Sequence, residues 1–145
     1  MPSDNRLSRV LHLLIHLDRH TRVATSEQLA AMLFTNPVVV RRTLSGLREA
    51  GLVRSEKGHG GGWTLARPLA GIALLDVYRA LGSPPAFAIG MARDDPKCLV
   101  EQAVNDRLAE AMRQAETLLL ERFAAVSLAD IADDFDSRFA AAGSQ

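Results

Sequence analysis

Between Thr25 and Trp63 the sequence sets two helix starts, one helix stop and a glycine-tipped hairpin in close succession, and few folds accommodate that order. Thr25 followed by Gln28 has the pattern of a capping box, in which the hydroxyl accepts from an open helix N–H and the amide reaches back to the cap. A short helix is predicted there, with Leu29, Ala30 and Leu33 turned inward and Phe34, Thr35 and Asn36 breaking it. Asn36 caps a second helix, because Pro37 in the first helical position gives up no hydrogen bond the helix needs. That helix runs to about Ala50, with Val40, Leu44 and Leu47 along one face and Gly51 at the left-handed stop. Leu52 to Glu56 and Trp63 to Ala66 read as strands. Four of the six residues between them are glycine, which suits a tight or bulged turn with an uncluttered tip.

The flanks are helical. From Arg6 to about His20, Leu7, Val10, Leu11, Leu14 and Leu17 recur at the spacing of one buried stripe. Leu74, Leu75, Val77, Tyr78 and Leu81 form a short helix stopped by Gly82 and by Pro84-Pro85, and an irregular stretch continues to Lys97. The longest helical segment runs from about Leu99 to Phe123. In it Val104, Leu108, Ala111, Ala115 and Leu118 alternate at four and three residues, the spacing of a coiled-coil seam. A helix of that length has too few neighbours in its own chain, so a second copy is the economical cover for the stripe. Ser127 and Asp130 then open a last helix reaching about Phe139, with Leu128, Ile131 and Phe135 apolar. The expected fold class is mainly α with a small β wing. Residues 5–67 form a winged helix-turn-helix domain, 68–98 a connector with a short helix, and 99–141 a helical dimerisation region.

Charge is distributed to match. Residues 1–70 carry ten basic against five acidic side chains and the remainder seven against twelve, so a net charge of zero conceals a cationic front and an anionic back. On the second helix of the motif Val38, Arg41, Arg42, Ser45 and Arg48 share the face opposite the apolar one. One helix fits the major groove of a duplex, with residues near its N-terminus at base edges. Asn36, Val38, Arg41, Arg42 and Ser45 are therefore the expected groove residues, with Arg41 the candidate for a two-pronged contact to guanine. Arg48, Arg54, Lys57 and His59 suit phosphates or the neighbouring minor groove. Ser26, Thr35 and Pro37 complete the expected DNA-facing set. A winged helix kept only for protein contacts is the alternative reading.

Other chemistries find little support. His59-Gly60-Gly61-Gly62 matches the oxyanion loop of some esterases, but no G-x-S-x-G elbow accompanies it, so no catalytic residue and no enzyme is expected. His12, His16 and His20 recur every four residues without a carboxylate pair or cysteine to complete a metal shell, and an exposed or interface row is the expectation. A single cysteine, Cys98, excludes an internal disulfide. It stands two residues after Pro96, just before the long helix, where a buried structural role and a thiol sensor are both open. No segment is long and apolar enough for a membrane span and the N-terminus lacks an apolar signal stretch, so a cytoplasmic protein without membrane contact is expected.

The stretch Thr35 to Arg42, then Leu47 to Val53, then Gly58 to Trp63, Leu65-Ala66 and Leu74 to Ala80 resembles the Rrf-two (BadM-type) family of bacterial regulators across most of the chain. The resemblance implies a homodimer with paired long helices, two winged domains on a palindromic operator, and usually repression. Members with an iron-sulfur cluster hold it with three cysteines ahead of the dimer helix, where this sequence offers only Cys98. No cofactor is expected on that ground, and the likeness is closer to the cluster-free, YwnA-like branch. The effector is left open.

Overall fold

A computed structural model describes residues 4–19, 23–58 and 61–143 of the chain. The element order is α1 (Arg6–Arg19), α2 (Ser26–Met32), α3 (Pro37–Glu49), β1 (Val53–Glu56), β2 (Gly62–Leu65), α4 (Leu74–Ala80), α5 (Leu99–Ala125) and α6 (Leu128–Gly143), with a 3₁₀ turn over Leu69–Gly71. This is the mainly helical, winged architecture expected from the sequence.

The local signals form as they should. Thr25 Oγ1 accepts from Gln28 N at 3.1 Å and Gln28 Oε1 accepts from Thr25 N at 2.9 Å, closing the capping box of α2. Asn36 Oδ1 accepts from Val38 N at 2.7 Å and starts α3. At the other end of α3, Gly51 has φ 78°, and its N–H and that of Leu52 return to the carbonyls of Arg48 and Leu47. Those two bonds make a Schellman stop, which turns the chain straight into β1. β1 and β2 pair antiparallel, Val53 opposite Leu65 and Glu56 opposite Gly62.

The core lies between α1, α2, α3 and the sheet, and Leu14, Leu29, Leu44, Leu47 and Leu52 are almost fully buried in it. Each such side chain contributes about 1.5–3 kcal/mol by leaving water. The same core takes in Leu69, Ile72 and Val77 from the connector, and Leu128 and Ala132 from α6. One core therefore draws on all three expected segments. α6 returns to the winged helix because the backbone pins its start there. Leu74 N donates to Val126 O and Leu128 N to Ile72 O, both at 2.9 Å, and Arg19 pairs with Asp136 at 2.7 Å. Only α5 stands apart, with none of its 27 residues buried.

Candidate nucleic-acid interface

α3 presents its outer face because Val40, Leu44 and Leu47 hold the inner one in the core. Arg41, Arg42 and Arg48 are exposed on that helix, with Val38 exposed and Ser45 half-buried among them. Thr35 and Pro37 are half-buried and Asn36 exposed at the mouth of α3. Arg54 on β1 and Lys57 after it are exposed, so the cationic surface continues from the helix onto the wing. His59 and His20 lie outside the described residues.

Each arginine has a different tether. Arg41 reaches across to α2, its Nη1 lying 3.3 Å from Glu27 Oε1, while Ser45 Oγ donates to the Arg41 carbonyl at 2.9 Å. Both partners of that ion pair are exposed, so it is worth at most about 1 kcal/mol and yields readily to a stronger acceptor. Arg48 lies 5.9 Å over the Trp63 ring and donates to Ser55 Oγ at 3.1 Å, tying α3 to the wing. Arg54 donates weakly to the Ala66 carbonyl. The guanidinium of Arg42 has no hydrogen-bond partner among the described residues.

Two close approaches place the wing. A Cβ on Gly62 would stand 2.4 Å from the carbonyl oxygen of Ala24, because Ala24 and Trp63 exchange both backbone hydrogen bonds there. A Cβ on Gly61 would stand 2.3 Å from the Glu56 oxygen across the turn. Glycine at 62 lets the hairpin root sit against Ala24, just ahead of α2, and glycine at 61 lets the turn close on itself.

One expected residue is removed from this surface. Ser26 is 6% exposed, and its Oγ accepts from Trp63 Nε1 at 3.1 Å. A buried indole N–H needs an acceptor, and Ser26 is the one within reach. Its side chain anchors the wing and does not face solvent. A residue treated in the sequence only as a helix breaker stands out instead. Phe34 is 95% exposed at φ 53°, in the turn between α2 and α3. A left-handed turn position usually carries Gly or Asn, and an aromatic there has no local signature.

Outside this surface, α5 displays Val104, Leu108 and Leu118 at 50%, 39% and 56% exposure, with Ala111 and Ala115 exposed between them. Its inner side touches α4, where Phe123 meets Tyr78 edge-on at 5.6 Å between ring centroids. Cys98 is half-buried at the N-cap of α5. His12 and His16 bring their Nε2 atoms to 2.8 Å on the outside of α1.

The sequence profile of the Rrf2 family, described as an iron-dependent transcriptional regulator, matches residues 3–134. YwnA of Bacillus subtilis strain 168, which carries the name of an HTH-type transcriptional regulator, is 33% identical over 130 residues, covering 88% of this chain and 95% of its own. A crystal structure described as a DNA-binding protein superposes with a TM-score of 0.70 at 31% identity, over 87% of this chain and 97% of the other. A transcriptional regulator from Lactobacillus plantarum superposes with a TM-score of 0.76 at 25% identity, over 91% and 90%. Iron is a poor fit to the donors present. The chain has one cysteine, and the described residues bring no three His, Cys, Asp or Glu side chains together in a way that could hold a metal.

Proposed function

The chain belongs to the Rrf2 family of transcriptional regulators, and from that premise we propose that it binds a palindromic operator as a homodimer and represses. DNA binding in the service of regulation, and not catalysis, is what the family carries. The observation that supports the finer reading is a division of surfaces: cations gather on α3 and the wing, while the apolar seam of α5 is left uncovered. Paired along Val104, Leu108, Ala111, Ala115 and Leu118, two copies present two α3 helices, and a two-fold protein reads a two-fold site.

In this reading Arg41 releases Glu27 to take a guanine edge, Asn36, Val38, Arg42 and Ser45 line the same groove, and Thr35 and Pro37 border it. Arg48, Arg54, Lys57 and His59 hold the backbone alongside. A dimer seated there blocks the duplex beneath it, hence repression, in the cytoplasm. Among the described residues no helix is long and apolar enough to cross a membrane. Thiol chemistry at Cys98 would act on the first turn of α5, next to the proposed dimer seam.

The test is selection of duplexes from a random pool, followed by anisotropy titrations of the winner and a scrambled duplex at two salt concentrations. Two protomers per selected duplex, with inverted half-sites about one helical turn apart, is the expected result. Stoichiometric binding of a single half-site by a monomer, or no association with any duplex at low ionic strength, overturns the proposal.

A further inference from the structure

Beside the outer face of α3 lies a cavity of about 480 Å³, within the size range of small-molecule sites. Apolar side chains line much of it: Val10 and Leu13 from α1, Val40 from α3 and Leu81 after α4. The cations on it are arginines. Arg6 is held by Asp4, but the guanidinium groups of Arg9 and Arg42 have no hydrogen-bond or ion-pair partner among the described residues. A greasy cavity carrying two uncommitted guanidinium groups is complementary to a ligand with an apolar body and one anionic head.

Gly46 points the same way independently. It sits in the interior of α3, where glycine is among the poorest helix formers, and a Cβ built on it meets nothing within 4 Å. Packing inside the chain does not require a glycine at this position. Its missing side chain leaves room in the cavity it lines.

We propose that this cavity binds an amphipathic anion, such as an aromatic or short aliphatic carboxylate, and that the bound anion weakens DNA binding by engaging Arg42 together with Arg9. The coupling rests on the reading of α3 as the DNA-facing helix, because Arg42 belongs to both surfaces. Affinity for the duplex and affinity for the anion must then oppose each other by the same factor.

1-Naphthoate, with neutral 1-naphthamide as its comparator, tests the site on the full chain without DNA. Naphthoate is expected to bind one per chain by calorimetry, about tenfold more tightly than naphthamide, since a charge-assisted pair separates them. Gly46→Leu should abolish naphthoate binding while holding or raising the thermal midpoint, and Arg9→Gln should weaken naphthoate but leave naphthamide unchanged. Equal affinity for both probes, or undiminished naphthoate binding by folded Gly46→Leu, overturns the site. In the second arm saturating naphthoate should weaken the selected duplex at least about fivefold, the lower end of ordinary coupling between sites. Naphthoate bound with duplex affinity unmoved overturns the coupling. A chain that takes up naphthoate but no duplex at low ionic strength overturns the DNA reading and leaves the cavity assignment standing.

Discussion

The winged helix and α5 use similar proportions of leucine and valine to opposite ends. In the former, Leu14, Leu29, Leu44 and Leu47 are buried by neighbours of the same chain, and the polar residues left outside form a cationic surface. In the latter, Leu99, Val100, Val104 and Leu118 each remain half exposed or more. One region has completed its burial within the protomer and offers charge. The other leaves its apolar surface exposed. The contrast teaches that, in the proposed dimer, folding and assembly are separable, and substitutions can act on one without the other.

The same truncation made in both places tests this most directly. Leu44→Ala should lower the unfolding free energy by about 2–5 kcal/mol, the cost of a cavity in a filled core, at every protein concentration. Urea melts at two concentrations would show it. Leu108→Ala should leave the dilute protomer unaffected and weaken self-association by roughly 1.4–2.8 kcal/mol, or about ten- to a hundredfold in Kd by sedimentation. A loss of protomer stability for Leu108→Ala as large as that for Leu44→Ala would dissolve the distinction. On the cationic surface, Arg41→Ala should cost about 1–3 kcal/mol against the selected duplex and relax preference at one base pair. Equal losses on selected and scrambled duplexes would move Arg41 from base reading to phosphate holding.

How much of this was legible in the sequence follows from the distance over which each signal acts. The caps of α2 and α3, the Gly51 stop and the hairpin depend on residues two to six apart, and each forms from the residues that announced it. The outward set on α3 was equally legible, since helical spacing alone separates Arg41 and Arg42 from Val40 and Leu44. Pairings between distant elements were not. The capture of Ser26 by Trp63 joins residues 37 apart, and the bridge from Arg19 to Asp136 joins residues 117 apart, with no pattern at either end to forecast the other. For the same reason spacing groups the arginines without saying that Arg48 leans on the wing, Arg41 on α2 and Arg42 on the cavity.

Two smaller effects sharpen the picture within the winged helix. Phe34 holds a left-handed backbone and a solvated ring, so Phe34→Asn should raise stability by about 0.5–1 kcal/mol in urea melts. A destabilisation would show that the ring makes contacts in the folded chain. At the foot of α1, the Arg6 guanidinium and then its backbone N–H hold the Asp4 carboxyl down to about 2, from an ordinary 3.8. The folded pKa is the lower one, so the contribution of this fully exposed pair is intact above about pH 4 and fades as the pH falls through about 2. An NMR titration placing Asp4 near 3.8 would show that the pair does not persist.

The junction where Leu74 N meets Val126 O and Leu128 N meets Ile72 O has a mechanical meaning. It clamps the C-terminal end of a rod which, at 27 residues and a 1.5 Å rise, is about 40 Å long. A tilt of roughly 5° at such a hinge carries the far end, at Cys98, through about 3.5 Å, so a slight change at α4 is geared up along the length of α5.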